Sequence, residues 1–331
     1  ATPHTLRGAV PVGSTGDRGN RRRAPPAALA QRTALAPPRT RCDHFSVIPP
    51  LAELLRMCPT TVGYRASIRL WTTVVAGSAR RYTAYRSTVV AAVFATVVTG
   101  ILRAHIAQAV WRETPNLAGY DTTGAITFMI VGQGVGVCVA VFGGVIDLPY
   151  RIRTGDVVVD IARPVGFVRW WFGHEIGRVW VYLLTRAMPA VAVCAAVFRL
   201  RLPSTASRWA AFALSLTLAV LVSFGLRYLV ALSAFWLADD RGVQAVAALA
   251  SLFFSGSVLP LTIIPGMFGA LARIMPFAAT VQVPMDVYLG RVAGAGLGTA
   301  FAFQAGWAVL LLAAGRALTA IALRRVVIQG G

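Results

Sequence analysis

Beyond its first 56 residues, the chain sets acidic or imidazole side chains side by side at His174-Glu175 and Asp239-Asp240. Either pair could hold an acid or base at a membrane surface, as a membrane-embedded lipid-modifying enzyme requires. Neither matches a known catalytic constellation. Cys42, Cys58, Cys138 and Cys194 are scattered, with no CxxC. His4, His44, His105 and His174 show no HExxH and no spacing suited to a metal. A disulfide framework, a zinc site and a GxSxG nucleophile elbow are therefore not indicated, and no catalytic or metal-ligating residue is expected. Every basic residue is arginine; the chain has no lysine. A P-loop needs a lysine to reach the β- and γ-phosphates, and a pyridoxal enzyme needs one for its Schiff base. Neither can be built from this chain.

The elements that must carry any function are apolar. The 331 residues include 32 basic and 12 acidic ones, a formal net charge of +20, yet only 13% are charged and 56% are hydrophobic. Soluble domains carry roughly 25% charged residues. Basic residues concentrated at the ends of apolar segments are a membrane pattern. Residues 1–56 differ: nine arginines face three acids, with Arg21-Arg22-Arg23, Pro25-Pro26 and Pro37-Pro38 and no apolar periodicity. This is a disordered basic segment. The chain opens on Ala1 and its first methionine is Met57, which points to a mis-set translation start and a membrane domain over 57–331.

A bilayer crossing needs about 20 mostly apolar residues. Six segments qualify, at about 87–104, 123–146, 179–198, 209–238, 243–264 and 298–323. The expected fold is thus an all-α membrane protein with six transmembrane helices. Glycines in the second and small residues in the sixth would let helix backbones approach closely. With the N-terminus inside, thirteen arginines fall on the inner side and six on the outer. The positive-inside rule then puts both termini in the cytoplasm. Before the first span, Tyr64, Ile68, Trp71, Val75, Ser78, Tyr82 and Tyr85 recur at steps of three and four. That spacing predicts an amphipathic helix lying in the inner interface.

Arg186, Arg227 and Arg316 fall inside predicted spans, where a charge costs about 2.5 kcal/mol or more. Arg227 and Arg316 can snorkel. Arg186 sits about a third of the way in and is the intramembrane charge candidate. No acidic residue falls inside a predicted span, which argues against a secondary proton-coupled transporter or channel. Two regions break the helical pattern. Asp147 to Glu175 is polar enough for a cytoplasmic loop. After the fifth span, Ser255, Gly256, Pro260, Pro265, Pro276 and Pro284 interrupt apolar sequence. Irregular backbone in an apolar setting must be buried in protein or line a cavity, so this run predicts a re-entrant element between spans five and six, on the outer side.

From about Tyr64 onward the chain resembles a permease subunit of the ABC-2 exporter class, in particular a six-span, actinobacterial-type branch. The residues that carry the resemblance are Gly155-Asp156 through Arg163-Pro164, and Phe235-Trp236 followed by Ser255-Gly256 and Pro260-Leu261. Pro276-Phe277, Pro284, Tyr288 and Gly290 follow, and the tail adds Gln304, Trp307, Arg324-Arg325 and Gln329-Gly330-Gly331. Ile161-Ala162 stands where that branch has leucines. The resemblance implies a transport subunit rather than an enzyme, moving a hydrophobic or amphipathic substrate out of the cytoplasm. The missing P-loop lysine implies that ATP and Mg belong to a separate ATPase subunit and that this chain binds no cofactor. The resemblance also implies a second permease, identical or sister, in the plasma membrane, with no nucleic-acid partner. The expected coupling loop to the ATPase holds Asp147, Gly155, Asp156, Asp160, Arg163 and Pro164. Pro164 would fix a turn through its locked φ, and the amphipathic helix would transmit motion.

Overall fold

In lipid every backbone N–H and C=O must be satisfied within the protein, and a single apolar run of about 20 residues does so as a helix. The computed structural model describes residues 72–80, 86–140, 146–163, 165–237 and 239–324, and those residues form helices and turns with no strand. In order they are α1 (residues 72–80), α2 (Arg86–Glu113), α3 (Thr122–Cys138), α4 (Leu148–Thr154), α5 (Val157–Ile161) and α6 (Phe167–Val197). Then come α7 (Ala206–Leu232), α8 (Arg241–Phe254), α9 (Gly266–Ile274), α10 (Gln282–Tyr288) and α11 (Ala295–Leu323). Four of these, α2, α6, α7 and α11, are long and apolar enough to cross a bilayer.

The two other predicted spans form shorter helices. The second apolar stretch is helical for 17 residues and ends at Cys138, with Ala140 at φ +54° in the turn beyond. The fifth is helical for 14 residues and stops at Phe254. At 1.5 Å per residue that is about 21 Å, short of a hydrocarbon core of about 30 Å. The stop has a local cause, since Gly256 follows at φ +81°.

The third span departs most from expectation. Its helix begins at Phe167, twelve residues before the predicted Val179, so the last nine residues of the expected loop, 167–175, belong to it. Nothing between Gly166 and Pro189 breaks it. Before Pro189 the helix widens into a π turn at Leu183–Ala187. Proline lacks an amide and crowds the preceding turn, and widening relieves both problems. Glu175 therefore lies on a helix long enough to cross the membrane, in the part that precedes its apolar stretch.

Close glycine contacts set the packing. A Cβ on Gly225 of α7 would sit 2.7 Å from Leu311 of α11, and one on Gly315 would sit 3.1 Å from Tyr228. Gly134 of α3 fits likewise against Val191 and Ala187. Polar ties reinforce the frame: buried Gln304 on α11 accepts from Ser215 Oγ (2.9 Å) and donates to the Ala279 carbonyl (2.8 Å). α2 faces outward along Val90, Phe94, Val98, Leu102, Ile106 and Val110, all exposed.

Of the predicted amphipathic helix, residues 72–80 are described and are helical; the remainder and residues 1–56 lie outside the described residues. α1 docks on α6, where Ser78 Oγ donates to the His174 carbonyl at 2.8 Å. Gly177 permits this approach, because a Cβ there would fall 2.6 Å from the Val75 carbonyl oxygen. Gly177→Val is expected to lever α1 away at a cost of about 1–3 kcal/mol. Amide hydrogen exchange would rise over 72–80 and stay unchanged in α7.

Candidate functional site

α4 and α5 form a compact pair at one end of the bundle. Pro149 in the first turn of α4 suits a helix start, where its missing amide costs nothing. Gly155 closes α4 at φ +81°, the left-handed conformation that glycine adopts without strain. The chain then turns at once into α5, with Thr154 Oγ1 donating to Asp156 at 3.0 Å. Asp160 is 1% exposed and anchors the pair. Arg151 grips it with two hydrogen bonds of 2.5 and 3.1 Å, and Arg163 forms an ion pair at 3.2 Å. The Arg163 guanidinium lies over the Trp170 ring at 3.9 Å, which ties the turn after α5 to the first turn of α6. Arg153 reaches Asp240, buried at the foot of α8, at 3.1 Å.

One turn above Trp170 lies a buried ionic cluster. Glu175 accepts from Arg178 at 2.5 and 3.1 Å, and from Arg227 of α7. Arg178 also donates to the Cys138 carbonyl at 2.7 Å. It thus meets a free carbonyl at the C-terminal end of α3, where a cation is also favoured by the helix dipole. Three helices, α3, α6 and α7, meet at these three side chains. Between the cluster and the α4–α5 pair is a cavity of about 280 Å³, lined in part by Asp147, Asp160, Arg163, Glu175, Arg178 and Arg227.

Asp147, Asp160 and Arg163 therefore meet in one place, whereas Gly155 and Asp156 form the turn at its rim. Pro164 lies outside the described residues. Glu175, Arg178 and Arg227 were not foreseen as a group. The signal available was the Glu175–Arg178 spacing of three, which puts both on one helical face. Arg227 does not snorkel; it pairs with Glu175. Arg186 stands apart from this site, at the π turn. Its guanidinium lies 5.0 Å from the Tyr182 ring centre, and its Nε is buried without a hydrogen-bond partner among the described residues. Arg316 is exposed on α11.

The breaker-rich run sits at the opposite end. Its organiser is Gln282, 3% exposed. The Gln282 amide N–H donates to the Ser255 carbonyl (3.0 Å), and its side-chain oxygen accepts from the Leu261 amide (2.8 Å). Its Nε2 donates to Asp286 (3.0 Å) and Tyr120 (3.2 Å). Ser255, Gly256 and Pro260 thus gather round one side chain, while Pro265 and Pro276 flank α9. Arg291 pairs with Asp286 at 3.5 Å and covers the Tyr120 ring at 3.7 Å. Burial pushes the Asp286 carboxyl up, opposed by its bonds to Gln282 and Tyr120 and by the Arg291 charge. Burial also raises the Tyr120 hydroxyl, and the Asp286 charge adds to it. Arg103 Nη1, from α2, donates to the Ser257 carbonyl at 2.7 Å.

A family model described as ABC-2 family transporter protein matches residues 87–330. No curated protein and no solved structure matches the chain. That match covers most of the chain, and the apolar helical bundle agrees with it, so the chain belongs to the ABC-2 transporter family as an integral, multi-pass membrane permease component.

Proposed function

We propose that the chain is the transmembrane permease subunit of an ATP-binding cassette exporter. A separate ATPase subunit supplies ATP hydrolysis, with ATP and Mg bound there. The substrate is hydrophobic or amphipathic and leaves the cytoplasm. Two permeases, identical or sister, pair with two ATPases in the plasma membrane. Both termini are cytoplasmic, and α3 and α8 belong to the second and fifth of six crossings. The run from Ser255 to Pro276 is a re-entrant element on the outer face.

The observation that carries this reading is the α4–α5 pair. A pair of short helices held rigidly by Asp160, Arg151 and Arg163 can receive a push without deforming. The push then passes through the Arg163–Trp170 stack into α6, and through Arg153–Asp240 into α8. Asp156 stands at the exposed turn between the two helices, where a partner surface can reach it. α1, seated on His174 and Gly177, moves with α6. Glu175 offers no proton relay, since two arginines hold its carboxylate.

The test is purification of the chain from its native membrane, where an ATPase subunit is expected to copurify. ATP-independent transport with no such partner overturns the assignment. Within the complex, Arg163→Ala is expected to lower substrate-stimulated ATP turnover about tenfold, the equivalent of one charge-assisted hydrogen bond. Unchanged stimulation would remove α4–α5 from the coupling role.

A further inference from the structure

The cavity beside α4–α5 has a wall that its own residues do not satisfy. Trp171 is 6% exposed and lines it, yet its indole N–H has no hydrogen-bond partner among the described residues. A buried donor left unpaired costs about 1–3 kcal/mol. Arg163 Nε, buried on the same wall, has its 3.2 Å ion pair with Asp160 but no aligned hydrogen bond among the described residues. Four guanidiniums, from Arg151, Arg163, Arg178 and Arg227, face three carboxylates, from Asp147, Asp160 and Glu175. The wall is therefore rich in donors and carries one cation in excess. Its complement is an anion that only accepts hydrogen bonds.

Depth narrows the class. α6 spans 31 residues. At 1.5 Å per residue this is about 46 Å, against a hydrocarbon core of about 30 Å. The apolar part of α6 runs from Val179 to Val197, so Trp170, Trp171, His174 and Glu175 overhang at headgroup level. Tyr150, 64% exposed, stands at the cavity's edge. Tryptophan and tyrosine favour that depth, and basic pockets between membrane helices suit anionic headgroups.

We propose that this cavity binds a phosphate group, supplied by an anionic phospholipid of the adjoining leaflet. The indole N–H of Trp171 and the Arg163 guanidinium donate to the phosphate oxygens. The rings of Tyr150 and Trp170 cover the glycerol. The proposal rests on α6 crossing the membrane and not on any coupling role for α4–α5.

The test is native mass spectrometry of the full chain in neutral detergent, with phosphatidylglycerol, phosphatidylcholine or inorganic phosphate added. Phosphatidylglycerol is expected to be retained about tenfold better than phosphatidylcholine, whose choline brings a cation to a cationic wall. Trp171→Phe keeps the aromatic packing, removes the donor and is expected to lower that retention about tenfold. Arg163→Gln, on a half-buried side chain, is expected to do the same and serves if Trp171→Phe melts lower than the parent. Equal retention of the two lipids, or full retention in both variants, overturns the proposal. Inorganic phosphate displacing phosphatidylglycerol at equal concentration overturns the lipid as the source. Lipid lost whenever an ATPase subunit is bound places an acidic group of the partner in the cavity and overturns it too. The leaflet is settled separately by labelling Thr154→Cys in intact cells with an impermeant thiol reagent. Labelling from outside would sink the cytoplasmic placement under the proposed function and leave the phosphate result standing.

Discussion

Glu175→Ala is expected to lower the unfolding free energy by about 3–5 kcal/mol, because it strands the buried charges that Glu175 balances. Arg178 is 3% exposed and bonds the end of α3 as well as Glu175. Without the carboxylate, two guanidiniums face each other across α6 and α7 in a poorly hydrated setting. Denaturant unfolding in detergent micelles measures the loss. Glu175→Gln keeps the shape and a hydrogen-bond acceptor and should cost less. Adding Arg227→Met to Glu175→Ala should recover part of the loss, since it removes the second stranded charge while Arg178 still meets the Cys138 carbonyl. A cost below about 1 kcal/mol for Glu175→Ala would show the cluster to be solvated rather than structural.

Gln282→Leu is the second large effect. Leucine fills similar volume but leaves the Leu261 amide, the Tyr120 hydroxyl and Asp286 each short of a bond. Buried groups of this kind cost about 1–3 kcal/mol apiece, so about 3 kcal/mol or more is expected in total. Hydrogen exchange should rise across 255–264 while α7 and α11 keep their protection. Gly256→Ala attacks the same point differently. Its φ of +81° resists a side chain, and the new Cβ would lie 2.7 Å from Gln282 Oε1. Because both substitutions act through one side chain, the double variant should cost clearly less than their sum. Full additivity would mean that Gly256 and Gln282 do not share a site.

These two clusters mark where the sequence could and could not be read. The apolar runs of α2, α7 and α11 announce themselves, because nothing but helix satisfies their backbone in lipid. The loop holding Asp156, Arg163 and Pro164 stood out through its resemblance to a family pattern, but that Asp160 would be buried between Arg151 and Arg163 did not. The start of α6 was not, because Arg169, His174, Glu175 and Arg178 lower the local hydropathy while leaving the helix intact. Glu175 pairs with Arg178 three residues on and with Arg227, fifty-two residues away on another helix. No local pattern encodes that pairing. The breakers Ser255, Gly256 and Pro260 foretold irregular backbone correctly. That a single glutamine would gather them was invisible, since one polar side chain among apolar neighbours has no periodicity to detect. In the fifth stretch hydropathy continues through Ile264, but the helix stops at Phe254.

The outward face of α2 carries a geometric consequence. Its large exposed apolar side chains, Val90, Phe94, Val98, Leu102, Ile106 and Val110, recur at every fourth position. An α-helix turns through roughly 400° in four residues, so each step advances the stripe by roughly 40°. Over the five steps the stripe winds through roughly 200°, more than half-way round the rod. A straight neighbouring helix meets alternating steps of three and four and would lose this path within two turns. The medium that can follow a winding surface is a liquid one, which makes acyl chains, rather than a rigid partner, the natural covering of α2.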